Sequence, residues 1–386
     1  MDGFAAEGFG RVADAFARVL EYDEGSGCEV ALVRDGVPVV DLWGGTDVVR
    51  DRPYPQTALT RVASCSKGIT ATALGILVDR GQLDPHAPVV QYWPEYGQNG
   101  KESTTVAMVA SHQAGVPFPE IGSHLQGLDY FTSPELVRVL ARQAPLWEPG
   151  TAVAYHPATA GAILDEIAFR ASGRRLAEIV RSEMAEPLSL STWLGLPPER
   201  LPDVVHGRWV GEFPVMTGGV GKYAEQRLLA GAEVQPLDPD PDDAEQVAAY
   251  YAASVPAVGA VTDARSLARM YAATIGSVDG TRLYSEGTLR ELTASLTKGK
   301  ELLIESGTAG PDLEFGFGYQ LPTSSMPAFG SHSFGHTGAG GRLGLADTDL
   351  GIGFGFVCSA MRVVGPEGDP RWELLTTAIR EAISGV

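Results

Sequence analysis

The chain is poor in cysteine, short of positive charge and without any long apolar run, and each shortage removes a class of protein. Its three cysteines, Cys28, Cys65 and Cys358, are an odd number in 386 residues and have no metal-ligand spacing. They argue against a disulfide framework and predict a reduced, cytoplasmic setting. Lys and Arg number 29 against 48 Asp and Glu, a formal charge of -19. Nucleic acid and anionic membrane, both polyanions, are therefore poor partners. No apolar stretch approaches the roughly 20 residues that span a bilayer. The first twenty residues lack the basic start and apolar core of a signal peptide. Instead Phe4, Phe9, Val12, Ala13, Phe16 and Val19 recur at helical spacing, which predicts an amphipathic helix of the mature protein.

What is present is a chain 44% apolar, enough for a large core in one big domain or two closely packed lobes. Glycine is abundant, 47 residues, and concentrated between Gly307 and Gly355 among aromatic and β-branched neighbours. Turns and close backbone approaches within a sheet account for that better than a fibrous repeat. Residues 28–33 and 39–42 are apolar runs joined by Arg34-Asp35-Gly36-Val37-Pro38, a hairpin composition. Helical patterns cover 66–82, 134–142, 157–173, 176–184 and 263–273, the last capped by Thr262 or Asp263. Strand patterns return at 315–321, 333–336, 341–346 and 351–359, and a closing helix at 372–383. The expected fold is α+β, with an antiparallel sheet built from residues 1–60 and 300–386 and a mainly helical lobe, 61–299, inserted between them. Asp238-Pro239-Asp240-Pro241-Asp242-Asp243 reads as an exposed loop, because its prolines stop the carboxylates curling round one ion. Gly218-Gly219-Val220-Gly221 reads as a flexible turn near the cleft, since it lacks the Lys and context of a phosphate loop.

The chemistry begins at Ser64-Cys65-Ser66-Lys67. A separation of three puts Ser64 and Lys67 on one helix face if Ser64 lies in the first turn, while Cys65 points about 100° away and is expected to pack. A lysine amine beside a hydroxyl can take its proton only if its pKa, ordinarily near 10.4, is lowered by desolvation or another cation. Backbone N–H groups at a helix start suit a developing oxyanion. The four residues alone also fit a solvated surface cap, although their apolar flanks, Val62-Ala63 and 68–77, favour a buried start.

Ser64-Cys65-Ser66-Lys67 resembles the first motif of serine β-lactamases, penicillin-binding proteins and related bacterial carboxylesterases. Tyr155-His156-Pro157, following Leu146-Trp147-Glu148-Pro149-Gly150, resembles the tyrosine motif of class C enzymes and family VIII esterases, and His336-Thr337-Gly338 resembles the third motif, usually Lys-Thr-Gly. Ser111-His112-Gln113-Ala114-Gly115 and residues 83–96, with Trp93-Pro94, match further landmarks in order. The resemblance spans roughly residues 10–385 and implies a β-lactamase/transpeptidase-like fold with no cofactor and no metal. It implies Ser64 as acylated nucleophile, Lys67 as proton acceptor, and Tyr155 as a second proton shuttle whose phenol Lys67 would make more acidic. His336 would act near the tetrahedral intermediate and assist deacylation. The oxyanion hole would be the N–H groups of Ser64 and of Gly338 or Ala339; His156, Thr337, Gly338 and Phe334 would touch substrate, and His112 would support from behind. His124, His206 and His332 form no zinc set with the others.

Two departures move the expected substrate from lactam to ester. Pro157 stands where class C enzymes have Asn, so no side-chain amide holds an acyl-amide group. His336 stands where they have Lys and is less reliably cationic. The expected activity is hydrolysis of small to medium carboxylic esters through a Ser64 acyl-enzyme. Transfer of the acyl group to an amine or alcohol is the main alternative. β-Lactamase or peptidase activity ranks lower, and a binding protein on the same fold lower still.

Overall fold

The computed structural model describes residues 1–120, 128, 132, 134–211, 243–303, 312–323, 326, 328–364 and 368–385. His124, the turn at 218–221 and the acidic run up to Asp242 lie outside them; Asp243 caps a helix, its side chain accepting from the Gln246 N–H.

A seven-stranded antiparallel sheet organises the chain. Its strands are β1 (Asp2–Ala5), β2 (Gly27–Arg34), β3 (Val37–Asp47), β4 (Arg52–Pro53), β5 (Ser333–Gly338), β6 (Arg342–Asp347) and β7 (Ile352–Cys358). The order is β1-β3-β2-β7-β6-β5, with β4 beside β3. The two termini therefore meet at the β2–β7 pair, where Cys28 lies opposite Cys358. The hairpin between β2 and β3 turns at Asp35 and Gly36, with φ of 50° and 80°. Two successive left-handed residues are what a tight turn matching strand twist requires. β1 is a correction to the amphipathic helix expected from the first residue: Asp2–Ala5 pairs with β3, and helix α1 starts only at Gly10 (Gly10–Tyr22).

Both faces of the sheet are covered. Val12, Phe16 and Val19 of α1 pack with Trp372, Leu375 and Ile379 of the closing helix against Phe354 and Phe356 on the outer face. The inner face carries the glycines. A Cβ on Gly353 would lie 2.2 Å from the Ala268 carbonyl oxygen, and one on Gly355 the same distance from that of Ala264. Glycine in β7 thus lets a helix lie directly on the sheet, the close approach its enrichment predicted.

The helices that frame the site and sheet are α1, α2 (Cys65–Asp79), α3 (Pro134–Arg142), α4 (Thr159–Ser172), α5 (Ala264–Ile275) and α6 (Pro370–Ser384), with further helices, among them Ala244–Ala252 and Glu286–Leu292, between them. Asp263 caps α5, its Oδ1 accepting from the Ser266 N–H at 2.6 Å. Because α5 is the helix on the glycine face, the expected boundary at residue 299 misplaces it; α5 belongs to the sheet layer. α2 is buried from Cys65 to Leu77 and runs through the main core. The expected strand at 315–321 is instead a tight turn, with Gly318 at φ 77° and single bridges from Gln320 to Phe315 and Gly335. No helix among the described residues is long and apolar enough to cross a membrane.

Candidate active site

Ser64 stands at the N-cap of α2, immediately after Ala63, whose φ is 46°. A left-handed alanine is strained, and the turn is held by Ser66, whose Oγ donates to the Ala63 carbonyl and accepts from the Ala260 N–H. The sharp turn leaves Ser64 partly exposed while Ser66 and Lys67 are buried. Among the described residues no acceptor takes the Ser64 N–H, whereas the next three N–H groups bond back to Val62, Ala63 and Ser64.

Lys67 Nζ lies 3.4 Å from Ser64 Oγ and donates to two carbonyl oxygens, Pro157 at 2.8 Å and Ala257 at 3.0 Å. No carboxylate lies within ion-pair distance of it among the described residues, and an apolar pocket lined by Ala71, Leu74, Leu164 and Pro256 adjoins it. Burial without a counter-ion lowers its pKa to about 7. An amine with two N–H bonds spent on carbonyls keeps its lone pair for the Ser64 hydroxyl. Pro157, which supplies no side-chain amide, contributes through its main chain.

Tyr155 lies beside Ser64 and Lys67, its ring centroid 4.6 Å from Lys67 Nζ. Burial pushes its phenol above the ordinary value, outweighing the opposing effect of Ser64. The expected acidification by Lys67 is not found, because desolvation affects both groups and leaves the lysine itself only half charged near neutrality. Tyr155 is held from behind by His112, whose ring lies 4.6 Å from both Tyr155 and Phe315. His112 Nδ1 accepts from the His156 N–H at 3.1 Å.

His156 corrects the expectation of substrate contact. It is fully buried, its Nδ1 bonded to the Ala154 carbonyl and its Nε2 accepting from the Val116 N–H, and burial lowers its pKa to about 4. Both ring nitrogens are spent on shaping the tyrosine segment. Phe334 is likewise a core residue, 1% exposed, with Tyr319 at 5.0 Å and Tyr271 at 6.4 Å between ring centroids. It shares a face of β5 with His336 but lies two residues back along the strand, packed among core aromatics.

His336 comes to the site from β5, its ring centroid 6.2 Å from that of Tyr155. Its Nδ1 bonds the Thr337 carbonyl at 2.7 Å, an oxygen that can only accept, so Nδ1 carries the proton and Nε2 is a bare acceptor. Nε2 is buried and without a partner. Burial, then the Lys67 charge, lower its pKa to about 3. The imidazole is neutral and does not reproduce the cation of Lys-Thr-Gly. Thr337 is fixed by a residue the motifs did not indicate: its N–H and Oγ1 both donate to Gln320 Oε1, at 2.7 and 2.9 Å.

The pleat of β5 separates the two oxyanion candidates. Gly335 exchanges both main-chain bonds with Gln320, and the Thr337 N–H also points to Gln320, away from β6. Alternation places the Ala339 N–H on that free edge and the Gly338 N–H toward β6. Gly338 lies against α2: a Cβ there would sit 2.4 Å from the Val62 oxygen. Cys65 is buried beside it, Sγ 3.2 Å from the His336 oxygen, with its thiol pushed up to about 12 by burial, as packing rather than chemistry requires. Elsewhere His206 meets Tyr251, and His332 pairs with Asp349 on the surface. Among the described residues no group of acidic, His and Cys side chains is arranged to hold a metal.

The strained turn at Ser64, the buried Lys67 and Tyr155 thus come together beside the edge strand of an antiparallel sheet. Residues 12–377 match the Beta-lactamase family, and the chain belongs to it. It is 33% identical over 370 residues to "Esterase/beta-lactamase LipL" of Mycobacterium tuberculosis, covering 92% of this chain and 82% of that protein. A solved family VIII carboxylesterase superposes with a TM-score of 0.85 at 29% identity, covering 99% of each chain. EstA from Arthrobacter nitroguajacolicus superposes at 0.82 with 31% identity, covering 100% of this chain and 99% of that one.

Proposed function

We propose that the protein is a serine carboxylesterase acting on small to medium esters through an acyl-enzyme on Ser64. The observation that carries this is Lys67 held by the Pro157 and Ala257 carbonyls, with Ser64 Oγ at 3.4 Å and a pKa of about 7. Neutral Lys67 takes the Ser64 proton as Oγ attacks the ester carbonyl carbon. The carbonyl π pair moves onto oxygen, which the N–H groups of Ser64 and Ala339 receive. Tyr155, protonated at rest, passes a proton to the departing alkoxide and is refilled from Lys67. Water then attacks the acyl carbon by the same route reversed. The neutral His336 and the missing amide at 157 favour esters over lactams, which present a carboxylate and an acyl-amide. The family VIII likeness supports the same preference, while the double name of LipL makes a cephalosporin the proper control.

The test is intact-mass analysis during turnover of a p-nitrophenyl ester panel, with and without added amines, using Ser64→Ala as control. A transient acyl adduct on the wild type alone is expected, decaying mainly to free acid. Cephalosporin turnover as fast as that of phenyl esters would reverse the substrate assignment. Capture of most of the acyl group by an amine would make the protein a transacylase.

A further inference from the structure

Beneath the turn at 339–341 lies a buried positive charge with no counter-ion among the described residues. Arg342 is 2% exposed, and among the described residues no carboxylate lies within the 4.0 Å of an ion pair. Its Nη1 donates to the Ala339 carbonyl at 2.8 Å, and its Nε is buried with no partner. Two glycines make room for it: a Cβ on Gly207 would lie 2.5 Å from Nη2, and one on Gly340 the same distance from Nη1. Its neighbour Arg371 differs, being paired with Asp369 at 2.6 Å and Asp23 at 2.7 Å. Arg371 donates to the Gly340 carbonyl at 2.9 Å, and Trp372 Nε1 to that of Gly341 at 2.7 Å. Three successive carbonyls of the turn are thus each held by a buried side chain, and the Gly341 N–H closes on the Gly338 oxygen.

A buried guanidinium cannot shed its proton, so an unpaired one is costly unless a negative charge appears nearby. The groups around Arg342 place it near the start of α2. Its positive field reaches Cys65, the residue after Ser64, and its hydrogen bond fixes the residue whose N–H lies on the open edge. We propose that Arg342 is a positioning residue of the oxyanion site: it anchors the turn through the Ala339 carbonyl and supplies a positive field that is balanced only when the tetrahedral oxyanion forms on Ser64. This rests on the acyl-enzyme reading above. In the step concerned, Ser64 Oγ bonds the carbonyl carbon, the C=O π pair moves to oxygen and the Ser64 proton goes to Lys67.

The experiment compares wild type, Arg342→Lys and Arg342→Met as full chains. It measures kcat and KM on p-nitrophenyl butyrate, inhibition by phenylboronic acid, which forms an anionic tetrahedral adduct with an active serine, and Tm. Arg342→Met is expected to lose about tenfold in kcat and in boronate affinity, less than removal of a direct oxyanion donor, with little change in KM. Its Tm should hold or rise, because an unpaired buried charge is gone, and Arg342→Lys should recover most of both losses. If Arg342→Met does not fold, Arg342→Gln supplies the same readings. Unchanged boronate affinity in a folded variant, or a Lys variant no better than Met, overturns the proposal. A wild type that takes neither boronate nor acyl group on Ser64 overturns the acyl-enzyme reading itself.

Discussion

The two walls of the cleft each bury a cation, and they use it in opposite ways. On the α2 wall Lys67 meets two carbonyl oxygens, the Ser64 hydroxyl and no carboxylate among the described residues, so burial lowers its pKa to about 7. On the sheet wall Arg342 meets a carbonyl and Arg371 two carboxylates, and a guanidinium keeps its charge in either setting. In the proposed mechanism the amine wall moves protons, and the guanidinium wall holds backbone dipoles still. The same low dielectric serves both, and the side chain decides which result follows.

The largest expected effect breaks the contrast directly. Lys67→Arg places a permanent charge on the proton-moving wall and should lower kcat/KM by about 10³, read with a p-nitrophenyl ester, while Ser64 remains in place. Tyr155→Phe should cost about 10² on alkyl esters and much less on p-nitrophenyl esters, whose leaving group needs no proton. Equal losses on both would remove Tyr155 from the leaving-group step. The pH profile sharpens the comparison further. Activity needs neutral Lys67, so kcat/KM should rise with pH through about 7 and then level. His336 at about 3 and His156 at about 4 add no limb near 6.5.

Stability carries the matching sign. The folded pKa of Lys67 lies below its unfolded value near 10.4, so the folded state binds fewer protons between them. The resulting penalty is complete below about pH 7 and fades toward 10.4. Lys67→Met should therefore raise Tm relative to wild type most at pH 6 and least at pH 10, by thermal melts across that range. The smallest effect belongs to Gln320→Ala, which frees Thr337 and should raise KM a few-fold with little change in kcat. A larger fall in kcat would mean that Gln320 sets the oxyanion geometry as well.

Local patterns were legible wherever local chemistry decides. The period of α1, the Asp35-Gly36 turn, the α4 stop at Gly173 with φ 76° and the α5 cap at Asp263 follow from neighbours within a few residues. Asp2–Ala5 was misread because its apolar spacing fits a helix, whereas pairing with β3 is non-local. The failures at His156 and Phe334 share one cause: proximity in sequence to a motif residue does not say what a side chain packs against in the fold. Arg342, a charge among Gly340, Gly341, Leu343 and Gly344, is not marked out by the sequence, and only the fold shows it buried with no carboxylate in ion-pair reach among the described residues.

Sequence by itself determined the buried helix that follows Ser64, the order of the three motifs and the sheet built from both termini, because periodicity, turn residues and side-chain identity are written along the chain. Tertiary structure decided the protonation of the site. Lys67 is held by carbonyls 90 and 190 residues away, Thr337 by a Gln320 side chain, and the Ala339 N–H is exposed by the register of an edge strand. Desolvation and main-chain acceptors belong to the folded environment and carry no residue type, which is why spacing could name the reacting groups and not their charge.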